Sequence, residues 1–74
     1  MDKYSAVSGK ELIAAFTKIG FVVTRIRGSY NIIKHPDGRT TVIPSHAGES
    51  IGPGLLANIL RSLKITRSEL EDLL

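Results

Sequence analysis

The apolar positions change period along the chain, and the changes mark out its elements. Leu12, Ile13, Phe16 and Ile19 recur at helical spacing. Ser8-Gly9-Lys10-Glu11 in front of them is a capping box, in which the Ser8 hydroxyl accepts from the Glu11 amide and the Glu11 carboxylate accepts from the Ser8 amide. Val7 and Leu12 flank the cap as a hydrophobic staple, and Gly20 is placed to end the helix in the left-handed region. The spacing predicts a first helix over about 9–19.

The pattern then shortens. Phe21 to Arg27 is rich in β-branched residues and too short for another helix. Gly28-Ser29 gives a tight connection into Tyr30-Asn31-Ile32-Ile33-Lys34-His35. Pro36-Asp37-Gly38 is turn chemistry: Pro36 pre-sets φ, Asp37 bonds its own backbone, and Gly38 takes positive φ. Arg39 to Ile43 runs back as the partner strand and ends near Pro44. A three-stranded antiparallel meander is the simplest layout.

Residues 45–54 form a loop with three glycines and a proline. Leu55, Leu56, Ile59, Leu60 and Leu63 then make the apolar stripe of a second helix over about 54–63. Thr66-Arg67-Ser68-Glu69 is a second capping box, with Ile65 and Leu70 as its staple, opening a short helix over about 67–73. The expected fold is α+β, in the order α-β-β-β-α with a short extra C-terminal helix. Helices on one sheet face are expected to bury Leu12, Phe16, Ile19, Leu56, Ile59 and Leu63, and to leave the other face wet. The parity of the middle strand stays open. Ile32 and Ile33 point to opposite faces, so either Tyr30, or Asn31 and His35, face solvent.

Composition narrows the class. Seventy-four residues suit one domain spanning 1–74, with a thin stability margin. The absence of cysteine excludes a disulfide staple and a thiolate zinc site, and suits a reducing compartment. No apolar run reaches the ~20 residues of a membrane span. Met1-Asp2-Lys3-Tyr4 lacks the apolar region of a signal peptide, so a cytoplasmic protein without a membrane partner is expected.

The net charge is +3 and uneven. Residues 1–48 carry seven Lys/Arg against three Asp/Glu, whereas residues 49–74 carry three against four. The basic excess falls on the first helix and the strands, which suits a polyanion such as RNA. A solvated surface of ordinary basicity is the plainer alternative.

The side chains with chemical capacity gather around the hairpin. Arg25, Arg27, Lys34 and Arg39 are phosphate-binding candidates, or else a solvated sheet face. Metal-free RNA cleavage needs a base for the ribose 2′-OH, an acid for the leaving oxygen and cations for the charged phosphorane. Imidazole suits the first two tasks, which nominates His35 and His46. His35 precedes a proline and equally suits a turn-flanking residue that bonds locally. His46 equally suits a structural tether of the Gly-rich loop. No third metal-type ligand accompanies them, so a zinc site is rejected. Gly48 to Gly54 lacks the Gly-Lys-Ser/Thr end of a P-loop.

Four pieces of the chain, in this order and spacing, resemble the HicA family of toxin–antitoxin systems. They are Gly28-Ser29 leading into a strand, His35-Pro36-Asp37-Gly38-Arg39, Val42-Ile43-Pro44-Ser45-His46-Ala47-Gly48, and Pro53-Gly54-Leu55-Leu56 opening a helix. The resemblance runs from Ser8 to Leu74. It implies a fold like the double-stranded-RNA-binding domain and a small type II toxin that cleaves mRNA as a metal-independent endoribonuclease, with no cofactor. It also implies a HicB-like antitoxin partner that covers the active face. Lys10 and Lys18 become secondary RNA-binding candidates, because such folds reach a minor groove with a helix edge.

The resemblance also marks a departure. After the Gly-Ser pair the family has a histidine taken to be catalytic, and here that position is Tyr30. Phenols ordinarily titrate at about 10 and are poor general bases at neutral pH, although they can act as an acid or hydrogen-bond a phosphate oxygen. Tyr30 is either a stand-in at the catalytic position or an aromatic filling a half-buried strand site. Two further classes follow, a catalytically silent RNA- or protein-binding module of the same fold and a plain protein-interaction domain using the sheet.

Overall fold

A computed structural model describes residues 7–74. The stretch Met1 to Tyr4, read above for a leader, lies outside the described residues, as do Asp2 and Lys3 of the charge count. Helix α1 spans Gly9–Thr17, strands β1, β2 and β3 span Val22–Arg27, Tyr30–Lys34 and Thr40–Pro44, and helices α2 and α3 span Pro53–Leu63 and Arg67–Leu73. The strands form one antiparallel sheet in the order β1-β2-β3. This is the α+β layout the sequence predicts.

Local chemistry fixes the helix ends. Ser8 Oγ accepts from the Glu11 amide at 3.1 Å while Glu11 Oε1 accepts from the Ser8 amide at 3.0 Å. Thr66 and Glu69 repeat the exchange at 3.1 and 2.9 Å. Gly20 has φ +101°. The Gly20 amide donates to the Thr17 carbonyl, and the Phe21 amide to that of Phe16. This Schellman-type closure turns the chain sharply from α1 into the sheet, with the rings of Phe16 and Phe21 in contact. The regular part of α1 therefore stops at Thr17, two residues short of the expected boundary.

The core lies between the helices and the β2–β3 half of the sheet. Leu12, Phe16, Phe21, Ile33, Ile43, Ile59, Leu63 and Leu70 are its largest fully buried side chains. One expected member is not in it. Ile19 sits in the tightened turn after α1 and is 37% exposed, and Leu55, on the apolar stripe of α2, is 41% exposed. Strand β1 is also exposed along its whole length. Both α1 and α2 pack chiefly against β3, and β1 lies on the far side of β2 from it. One helical layer of this length covers two strands, not three.

The register settles the parity of β2. Asn31 pairs with Ile43 and Ile33 with Thr41, and Asn31, Ile33 and Ile43 are buried under the helices. Tyr30, Ile32 and Lys34, opposite Pro44, Val42 and Thr40, occupy the open face. A β-bulge between Val23 and Arg25 shifts β1 so that Arg25 pairs with Ile32 and Arg27 with Tyr30. Opposed residues share a face, so the bulge brings both arginines to the open side. Val23 and Ile26, opposite Ile33 and Asn31, take the helix side.

Candidate functional site

The open face ends in a cluster built by the β2–β3 register. Tyr30 at the start of β2 pairs with Pro44 at the end of β3, so the chain leaving β3 passes beside the phenol ring. His46, two residues on, meets Tyr30 edge to face with ring centroids 5.8 Å apart. The Ser29 hydroxyl lies 3.3 Å from His46 Nε2. Open depressions flank the imidazole. One is lined by Ser8, Lys10, Ser45 and Gly48 beside His46. The other is lined by Tyr30, Pro44, Glu49 and Leu55 beside His46. The solvent exposure of Leu55 follows from its place in that wall.

A buried amide holds this corner in shape. Asn31 is 7% exposed. Its Nδ2 donates to the Ile43 carbonyl at 3.1 Å and to Ser45 Oγ at 2.7 Å. The Ser45 amide in turn donates to the Ser29 carbonyl at 2.7 Å. The Gly28-Ser29 turn and the segment carrying His46 are thus tied through one polar network, the arrangement that makes a buried polar group tolerable. Neither Asn31, Ser29 nor Ser45 was nominated from the sequence. The available signal was Asn31 itself, a poor strand former among aliphatic residues.

Gly9 completes the corner. A Cβ there would overlap the Pro44 carbonyl oxygen and lie 3.1 Å from Ser45 Cα. Only a glycine lets the start of α1, with Lys10, close against the strand end that carries His46.

The cations divide into two groups. Arg25, Arg27 and Lys34 lie exposed on the open face with Tyr30 at its end, and exposed Lys10 borders the depression beside His46. Arg39 and Lys18 point elsewhere. The Arg39 guanidinium donates to the Leu63 carbonyl and to Asp37 Oδ2, both at 2.8 Å, and stacks over the Phe21 ring at 5.1 Å. It ties the hairpin turn to the end of α2. Lys18 Nζ donates to the Leu73 carbonyl at 2.8 Å, joining α1 to α3.

His35 stands apart from Tyr30 and His46. Its Nε2 lies 3.0 Å from the Ile19 carbonyl, and its Nδ1 lies 3.2 Å from the Asp37 amide. Its ring packs on Phe21 with centroids 4.9 Å apart. Both ring nitrogens thus face groups of its own turn and of the α1–β1 connection. The Arg39 amide, and after it the Arg39 side chain, hold the Asp37 carboxyl below the usual carboxylate range. Among the described residues no group of three or more metal-type ligands comes together, and no helix is long and apolar enough to cross a membrane.

These features define a class: a small α+β domain whose sheet is helix-covered on one side and presents arginines, a lysine, a phenol and an imidazole on the other. The profile of the HicA toxin of bacterial toxin–antitoxin systems matches residues 9–65, and the chain belongs to that family. Its members are toxins with RNase activity that are paired with an antitoxin. No curated protein matches the chain in sequence.

Proposed function

We propose that this toxin is a metal-independent endoribonuclease that binds mRNA across the open sheet face and cleaves it at the Tyr30–His46 corner. The supporting observation is the convergence of the Tyr30 and His46 rings, 5.8 Å apart, at one end of a face carrying Arg25, Arg27 and Lys34. The cations hold the phosphodiester backbone, with Lys10 reaching it from α1. The His46 imidazole takes the proton of the ribose 2′-OH as its oxygen attacks phosphorus. The 5′-oxygen leaves and takes a proton from water at the open corner, and a 2′,3′-cyclic phosphate remains. The Tyr30 hydroxyl donates to a non-bridging phosphate oxygen, where charge develops.

Tyr30 occupies the position of the family histidine, and this substitution supports a slower enzyme. The toxin works in the cytoplasm as one half of a type II pair. A HicB-like antitoxin silences it by covering the open face, which masks the cations and the corner together.

The test is cleavage of end-labelled RNA by the purified chain in the presence of a chelator. Products ending in 2′,3′-cyclic phosphate, with the rate unaffected by chelation, are expected. Products ending in 3′-hydroxyl, or activity abolished by chelation, would overturn the mechanism. RNA binding with no cleavage would instead assign the fold to a silent binding module.

A further inference from the structure

We infer that the outer edge of β1 is a pairing site for an extended protein segment of alternating acidic and apolar residues. All six residues of Val22–Arg27 are exposed, and among the described residues no strand pairs with their outer side. An edge of this kind offers unpaired amides and carbonyls to any strand whose side chains suit it. The side chains of β1 state what suits it. On the open face Arg25 and Arg27 stand in line, two residues apart, and the bulge before them sets which face they take. On the helix side Val23 is 38% and Ile26 is 65% exposed, beyond the cover of α1 and α2.

A strand alternates its side chains between the two faces. A segment laid along β1 therefore sets every second residue beside the arginines and the intervening ones beside Val23 and Ile26. Acidic residues complement the first set, and apolar residues complete the helix-side layer on the second. A second copy of β1 does not meet these demands. Paired antiparallel, it gathers the arginines of both copies on one face, where like charges repel. The bulge and the arginines thus discourage self-pairing and select an acidic partner. Such pairing also neutralises Arg25 and Arg27, so it competes with RNA on the open face, although the inference itself does not rest on RNA cleavage.

The probe is a short synthetic peptide of alternating glutamate and valine, titrated into the full chain and followed by amide hydrogen exchange. The expected result is exchange slowed on the order of tenfold, confined to amides within 22–27. A peptide with lysine in place of glutamate should give no protection. Arg25→Ser with Arg27→Ser should abolish the discrimination between the peptides. Ile26→Ser should weaken binding of the acidic peptide while the chain stays folded. Unchanged β1 exchange at the peptide's solubility limit overturns the proposal, as does equal protection by both peptides. Protection that rises with protein concentration alone would assign the edge to a second copy and also overturn it. So would equal slowing of the same amides by a single-stranded RNA, since RNA on the open face leaves the edge amides exposed.

Discussion

Tyr30 and His46 meet edge to face although the whole β2–β3 hairpin separates them in sequence. Register is the cause. Pairing Tyr30 with Pro44 sets the outgoing chain beside the phenol, and the Asn31–Ser45 hydrogen bond at 2.7 Å fixes it there from below. A one-residue slip would send Tyr30 under the helices and lift Asn31 into solvent. That slip is costly, because it breaks the Asn31 bonds to the Ile43 carbonyl and Ser45 Oγ and brings the Lys34 charge under the helices.

The two groups of cations should separate in a salt titration. Arg25→Ser combined with Arg27→Ser is expected to reduce the slope of log binding constant against log salt by about 1.4–1.8, the share of two phosphate contacts. Arg39→Ala should leave the slope alone. It should instead cost about 1–2 kcal/mol in urea unfolding, through the lost Leu63 carbonyl bond and the stack on Phe21. A reduced slope in Arg39→Ala would move that side chain onto the RNA path.

Two glycines in helical first turns should respond oppositely to alanine. Gly9→Ala forces a methyl group into the Pro44 carbonyl, so it should destabilise the chain by about 1–3 kcal/mol despite the better helix propensity of alanine. Gly54 opens into free space, and Gly54→Ala should be neutral or stabilising by up to about 1 kcal/mol. Paired urea titrations decide this, and equal effects would show that the α1–β3 contact is not tight. Cleavage should fall in Gly9→Ala alone, because Lys10 and His46 flank the forced contact.

Acid should weaken the fold through two exposed carboxylates. The Arg39 amide, then its guanidinium, lowers Asp37, and the Thr66 amide, then its hydroxyl, lowers Glu69. A folded-state value below the unfolded one adds stability that is fully present above the ordinary carboxylate range of about 4 and disappears as pH falls through the folded value. The urea midpoint should therefore drop below about pH 4. Asp37→Asn and Glu69→Gln should each lower the neutral-pH midpoint and flatten the acid decline. An unchanged acid decline in both variants would place the sensitive groups elsewhere.

The elements were legible because their signals are local. Both capping boxes, Gly20 at the end of α1 and the Pro36-Asp37-Gly38 turn act within a few residues, and the structure contains each one. What escaped depends on how elements meet. The periodicity that places Ile19 and Leu55 on apolar stripes does not tell that α1 tightens before Ile19, or that Leu55 walls an open depression. Coverage of β2 and β3 but not β1 is set by where the helices land. Arg39 reads as one more cation in the basic stretch until Leu63 and Phe21 are seen beside it. The bulge that turns Arg25 and Arg27 to the open face has no composition signal of its own, since Val23-Thr24-Arg25 is an ordinary strand sequence.

Tyr30 carries the sharpest prediction. An imidazole exchanges protons near neutral pH and a phenol does not, and a well-placed acid or base contributes ~10²–10⁴-fold to rate. The chain should therefore cleave RNA slowly near pH 7, and Tyr30→His should raise the single-turnover rate by on the order of 10²-fold. Tyr30→Phe keeps the ring against His46 and removes only the hydroxyl, so it isolates the phosphate contact. Loss of that contact should slow cleavage on the order of tenfold while RNA affinity holds. His46→Ala should abolish the residual activity of the parent and remove most of the gain in Tyr30→His. If Tyr30→His and His46→Ala both leave the rate where it was, the reacting phosphate does not sit at this corner. Unfolding midpoints must accompany every rate, because a domain of this size has few kcal/mol to lose.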